Sequence, residues 1–229
     1  MRRAAAATLL ALAGGLIWAV WLTPRHDPGA TPADIALSAP ETPVRHLAVL
    51  GTSLSLGPWP ETLRAALSAC QGHDVRLTRV AEPGATSLDG LSRLSRITEA
   101  APDLVLIEFA INDADLTDGL ARDDAANNLA TMLDVLALET PDARVMLMTM
   151  SPAHGLRGLK RPFLARYYDD VRRLAATHGT GLADLYPRWL AREDWRDALP
   201  DGLHPTQAAA EALIPPALLP LLTGDTCPR

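Results

Sequence analysis

The chain is expected to fold as an α/β protein, a three-layer α/β/α sandwich around a parallel sheet of about five strands. Three observations predict this. Short apolar runs begin near residues 46, 75, 103, 143 and 181. Segments with helical spacing of apolar residues lie between them. The runs over 103–109 and 143–150 are apolar nearly throughout, as strands covered on both faces are, rather than alternating.

The elements follow in order. Residues 46–50 form an apolar strand that stops at Gly51. Residues 60–69 read as a helix with Leu63, Ala66 and Leu67 on one face. Residues 74–80 alternate, with Val75, Leu77 and Val80 as the apolar positions. A helix over 88–100 spaces Leu91, Leu94 and Ile97 by three. The strand over 103–109 comes next, then a long helix over 123–139 that turns Leu129, Met132, Leu133 and Leu136 inward. In the strand over 143–150, the alternating Met146, Met148 and Met150 read as core packing. A helix over 162–178 carries the stripe Leu164, Tyr168, Val171 and Leu174. A short strand over 181–185 and a closing helix over 206–222, bent or interrupted at Pro215-Pro216, complete the set.

Composition bounds the function. The 229 residues are 48% hydrophobic and 21% charged, which suits a globular core and excludes a disordered or collagen-like chain. A net charge of −6 argues against a nucleic-acid partner. Cys70 and Cys227 allow at most one disulfide and form no C-x-x-C pair. His154, His178 and His204 show no metal-ligand spacing, and nothing in the sequence asks for a cofactor.

The first segment stands apart from the fold. Arg2 and Arg3 precede an apolar run over residues 4–22 that ends with Trp18 and Trp21 near its boundary. A basic start followed by such a run is an export pattern. Two readings stay open for residues 1–22: a cleaved signal peptide, or an anchor close to the ~20 residues that span a bilayer. Either puts the rest on the periplasmic or extracellular face, and the anchor ties it to the membrane. Residues 23–43, rich in Pro and Ala, read as an extended linker.

In parallel α/β sheets, ligands bind beyond the carboxyl ends of the strands, so the residues after each strand matter most. They are Gly51-Thr52-Ser53-Leu54-Ser55, then Glu82-Pro83-Gly84, then Ala110-Ile111-Asn112-Asp113, then Ser151-Pro152-Ala153-His154. Before the closing helix stands Asp201-Gly202-Leu203-His204-Pro205. Each alone has a plain structural explanation. Ser53 could cap a helix, Gly84 could serve a turn, and Asn112-Asp113 could cap the next helix or close an Asx-turn. The basic segment 155–161, with Arg157, Lys160 and Arg161, reads as a solvated loop at the rim.

Taken in order, the set resembles the SGNH/GDSL hydrolase family over about residues 46–222. Gly51-Thr52-Ser53-Leu54 is similar to the family's Gly-Asp-Ser-Leu block. Gly84 matches its second-block glycine, Ala110-Ile111-Asn112-Asp113 resembles Gly-x-Asn-Asp, and Asp201-Gly202-Leu203-His204 matches Asp-x-x-His. Thr52 and Ala110 depart from the pattern: Thr52 bears on how the nucleophile loop is held, and Ala110 on the space beside the oxyanion site. The resemblance implies a flavodoxin-like hydrolase domain over residues 44–229. It assigns a catalytic triad to Ser53, Asp201 and His204, and an oxyanion hole to the backbone N–H groups of Ser53 and Gly84 and the side chain of Asn112. Asp113 reads as structural.

The residue types suit that chemistry. A serine hydroxyl needs an adjacent base, and histidine, with a reference pKa near ~6.5, can take and return its proton. A carboxylate three residues earlier can fix the imidazole tautomer. At Gly84, a glycine would allow close approach to substrate. The expectation is a serine esterase acting on an O-acyl ester, acetyl or short-chain, with an envelope or extracellular carbohydrate as the leading alcohol part. A lysophospholipase or small-ester lipase is the alternative. Acyl transfer to a sugar acceptor comes next, and a non-catalytic binding module last. The sequence leaves the oligomeric state open.

Overall fold

The five strands are present in a computed structural model of the protein, which describes residues 29–37, 43–224 and 227. They are β1 (His46–Gly51), β2 (Arg76–Ala81), β3 (Leu104–Ile107), β4 (Arg144–Thr149) and β5 (Gly181–Asp184). All named pairs are parallel, in the order β2-β1-β3-β4-β5. Every residue of the central β1 and β3 is buried, which is why these segments read as unbroken apolar runs. β2 lies at an edge with most of its residues at least partly exposed, so only Val80 of that strand is fully buried.

The helices are α1 (Trp59–Gln71), α2 (Ser87–Ser92), α3 (Ser95–Thr98), α4 (Ala110–Asp113), α5 (Arg122–Glu139), α6 (Gly155–Leu159), α7 (Leu164–His178), α8 (Leu185–Leu190) and α9 (Gln207–Thr223). α1 and α9 pack together, and α5 packs against both α2 and α7. These two helical groups and the sheet make the three layers. α1 has a proline in its first turn and ends at Gly72 in the left-handed region, φ 71°, the usual punctuation of a helix.

Three expectations are revised. The single helix over 88–100 is two short pieces. The N–H groups of Arg93 and Leu94 reach back only three residues, to Gly90 and Leu91, and this tight turn buries both Leu94 and Ile97. The closing helix α9 is not interrupted at Pro215-Pro216. Ile214, Leu218 and Leu222 on its inner face are fully buried, and this packing outweighs the missing N–H donors. Within the stretch read as linker, residues 33–37 dock on the domain.

That docked strap pairs Ile35 with Leu182 of β5 in the antiparallel sense. Asp184 fastens it: the N–H of Ala33 donates to Asp184 Oδ2 at 3.0 Å, and the N–H of Asp184 donates to Asp34 Oδ1 at 2.9 Å. Arg188 pairs with Asp34. The strap therefore runs from the carboxyl end of β5 towards its amino end, where Leu37 donates to the carbonyl of Leu221. Cys70, at the end of α1, is joined to Cys227 by a disulfide with a Cα–Cα distance of 5.4 Å. The apolar segment 4–22 lies outside the described residues, and among those described no helix is long and apolar enough to cross a membrane.

Candidate active site

The strand order reverses between β1 and β3, which are neighbours. At such a switch point the loops diverge and leave a crevice at the carboxyl end. Ser53 follows β1 and Asn112 follows β3, so both stand there. Ser53 opens a 3-10 turn, Ser53–Ser55, whose N-cap is Thr52.

The loop before α9 comes back over this end. Ser53 Oγ and His204 Nε2 are 2.8 Å apart, and His204 Nδ1 lies 2.7 Å from Asp201 Oδ2. The other carboxylate oxygen of Asp201 accepts the N–H of Leu203 at 2.9 Å and that of His204 at 2.7 Å. Burial alone would raise the Asp201 pKa, but the hydrogen bonds from His204 and Leu203 outweigh it and hold the carboxyl at about 2. Asp201 is therefore an anion at neutral pH. The side chains of His204 and Asp201 keep 39% and 43% of their exposure, so a substrate can reach the imidazole from solvent.

The loop after β4 clamps this segment. The N–H of His154 donates to the carbonyl of Gly202 at 2.9 Å, and Ser151 Oγ donates to the carbonyl of Leu203 at 3.1 Å. His154 Nε2 lies within 3.0 Å of the carbonyls of Arg196 and Leu199. Gly202 has φ 83°, and a Cβ there would strike the His154 carbonyl oxygen at 2.5 Å, so a side chain at position 202 would push this clamp apart.

Asn112 does not cap a helix. It lies within α4, buried, and its Nδ2 donates to the carbonyl of Ala85 at 3.0 Å. That bond uses one of two amide hydrogens and brings the loop after β3 against the loop of Gly84. Asp113 Oδ1 accepts the N–H of Ser87 at 2.7 Å and ties the same two loops together. Among the described residues, no hydrogen bond takes the backbone N–H of Ser53 or of Gly84. Gly84 has φ 74°, and a Cβ on it would meet no protein atom within 4 Å. The glycine serves this left-handed backbone conformation and leaves open space on its Cβ side. Ala110 is part of the hydrophobic core.

Two site residues escaped the sequence reading. Glu108, the second of two acidic residues in the run read as apolar strand, is buried beneath the Ser53 loop. Its Oε1 accepts the Thr52 N–H at 2.7 Å, Thr52 Oγ1 at 3.0 Å and Ser55 Oγ at 2.7 Å. A Cβ at Gly51 would collide with this carboxyl. Thr52 therefore holds the loop through Glu108, and Ser55 points inward. The second is Arg161. It is not a solvated loop residue: only 3% of it is exposed. It donates to the carbonyl of Ile111 at 2.6 Å and to Asn112 Oδ1 at 3.3 Å, and pairs with buried Asp115 at 3.0 Å. By occupying Oδ1 it fixes which way the Asn112 amide faces. Glu108 had a signal, a carboxylate inside an apolar strand. Arg161 had none.

Burial raises the pKa of Glu108 to about 7, against the hydrogen bonds from Thr52 and Ser55, and burial likewise raises Asp113 to about 7. Between the ordinary carboxyl value and 7 the folded chain binds more protons than the unfolded chain. Stability should then be full below about 4.5 and decline as pH rises through about 7. The thermal midpoint is expected to fall between pH 5 and 8, with a shallower fall in Glu108→Gln. Parallel pH profiles for the two proteins would refute this.

A serine, histidine and carboxylate in hydrogen-bonded series at the switch point of a parallel sheet are the arrangement of a serine hydrolase. Residues 48–212 match the GDSL-like Lipase/Acylhydrolase family, and the chain belongs to that family. It is an ester-bond hydrolase by that membership. The lipase/acylhydrolase from Enterococcus faecalis is similar at 26% identity and TM-score 0.68, over 76% of this chain and 93% of that one. A protein named TesA is 29% identical with TM-score 0.56, over 77% and 99%. An acetyl-xylooligosaccharide esterase from Geobacillus Stearmophilus shares the fold, with TM-score 0.66 at 16% identity over 83% and 98%. No curated protein matches the sequence.

Proposed function

We propose that Ser53, His204 and Asp201 carry out ester hydrolysis through an acyl-enzyme, and the observation that carries this is the 2.8 Å contact between Ser53 Oγ and His204 Nε2. Ser53 Oγ attacks the acyl carbonyl carbon while His204 Nε2 takes its proton. Anionic Asp201 holds Nδ1–H and stabilises the imidazolium. The oxyanion meets the N–H groups of Ser53 and Gly84 and the second amide hydrogen of Asn112. Collapse expels the alcohol, protonated by His204. Water, deprotonated by the same imidazole, then releases the acid and restores Ser53.

The substrate we propose is an amphiphilic O-acyl ester of the lysophospholipid or small-lipid kind. Exposed leucines on the rim around Ser53 support it over the acylated carbohydrate expected from sequence. The test is hydrolysis by purified protein of p-nitrophenyl acetate, a lysophospholipid and acetylated xylan. The first two should be cleaved and the third left intact. Cleavage of acetylated xylan alone would return the substrate to carbohydrate, and cleavage of none would defeat the esterase reading.

A further inference from the structure

The large apolar side chains that remain exposed are not scattered. Among the described residues there are seven: Leu56, Leu88, Leu116, Leu138, Leu156, Leu159 and Phe163. All but Leu138 follow the carboxyl ends of strands, on the rim that carries Ser53. Leu56 follows β1, Leu88 follows β2, Leu116 follows β3, and the other three follow β4. The loops touch in sequence around the rim. Arg79 of β2 donates to the Leu56 carbonyl in the loop after β1 at 3.2 Å. The loops after β2 and β3 meet where Ser87 is bound to Asp113, and those after β3 and β4 where the N–H of Leu116 donates to the Lys160 carbonyl at 2.8 Å. Leu156 keeps 83% of its exposure and Leu116 keeps 56%. Scattered exposed leucines need no explanation, but a ring of them around one site does.

Cations are interleaved with the apolar side chains. Arg157, Lys160 and Arg166 are exposed between and beside Leu156, Leu159 and Phe163, and the Arg166 guanidinium lies 5.2 Å from the Phe163 ring centre. Exposed acids on this end include Glu82 after β2 and Asp118, Asp123 and Asp124 after β3, outside the segment that follows β4. Leucine and phenylalanine mixed with Lys and Arg are the composition of a surface that enters the headgroup layer of a bilayer.

The direction of the strap gives a second, independent reason. Because residues 33–37 run antiparallel to β5, the chain preceding Ala33 departs from the carboxyl end of the sheet, the catalytic end. β5 lies three strand spacings from β1, about 14 Å. Ala33 follows Leu22, the last residue of the apolar N-terminal run, by eleven residues, a reach of at most about 40 Å. On the anchor reading of that run, a bilayer holding it is within reach of the rim's side of the domain, where the chain departs.

We propose that the catalytic rim seats on a phospholipid surface, with Leu88, Leu116, Leu156 and Phe163 entering the headgroup layer and Arg157, Lys160 and Arg166 meeting anionic headgroups. This rests on the esterase reading of Ser53 for its purpose: the triad would take its ester directly from the lipid surface instead of from water.

The test uses the full chain, reconstituted in vesicles of zwitterionic and anionic phospholipid. An environment-sensitive fluorophore is placed at Leu156→Cys and, in a second protein, at Leu138→Cys on the opposite end, with the native disulfide left oxidised. The Leu156 probe should shift to the blue and be quenched several-fold more than the Leu138 probe by lipids brominated near the headgroup. Equal quenching at the two sites, or a water-like Leu156 probe, would overturn the docking. The triple variant Leu88→Ser, Leu116→Ser, Leu156→Ser should lower kcat/KM on a vesicle-borne ester about tenfold more than on a water-soluble ester. Equal losses on both would also overturn it. Hydrolysis of the soluble ester with a water-like probe leaves the esterase standing and removes the docking, whereas a buried probe without any hydrolysis does the reverse.

Discussion

Ser53→Ala is expected to lower kcat by about 10⁶, the scale seen when the serine of such a triad is removed, and to abolish covalent labelling by a fluorophosphonate. The fold should be untouched, because among the described residues Ser53 Oγ bonds to His204 alone and not to the core. The rival is Ser55, two residues on. Its hydroxyl is buried and committed to Glu108 at 2.7 Å, so it faces away from substrate. Ser55→Ala should keep the label and lose stability instead, by about 1–3 kcal/mol for a broken buried hydrogen bond. Intact protein mass after labelling separates the two. Label retained in Ser53→Ala and lost in Ser55→Ala would move the nucleophile.

Asn112→Ala should lower kcat by about 10²–10³ with KM little changed, as for one missing oxyanion donor. A loss confined to stability would make Asn112 a tie between loops and nothing more, since its bond to Ala85 alone could account for that. Arg161 sharpens the test. Arg161→Met leaves the Asn112 amide in place but frees its Oδ1, so kcat should fall by less than in Asn112→Ala. In the Asn112→Ala background the same change should have no further effect on kcat. Because Arg161→Met strands the buried Asp115 carboxylate, the cycle is run with Asp115→Asn throughout, at a temperature where every protein is folded.

The strands could be read in the sequence because a parallel sheet buries both faces, and residues such as Leu104 to Ile107 then have no reason to be polar. The residues of the candidate triad could be read because loops after such strands face one rim, and Asp201 and His204 sit three apart on a single short loop. Glu108 and Arg161 could not be assigned, for a shared reason. Each is a charge whose partner is far along the chain: Thr52 lies 56 residues from Glu108, and Asn112 lies 49 from Arg161. Local spacing describes neither pairing. The split of the helix near Arg93 was hidden likewise, since the spacing of Leu91, Leu94 and Ile97 by three fits tight turns as well as an α-helix.

The bond between Ser53 and His204 spans 151 residues, and this gives the protein a timetable. During synthesis at roughly 5–20 residues per second, the serine emerges about 8–30 s before its base. In that interval a nascent chain has a hydroxyl with no means of activation. Its Glu108 anchor and Asn112 are made in the same period, so the loop around Ser53 is assembled while still inert. On the proposed mechanism, a chain stalled or cut just before His204 is chemically silent even with all five strands made. If His204 is the base proposed above, hydrolysis switches on only when the final segment arrives.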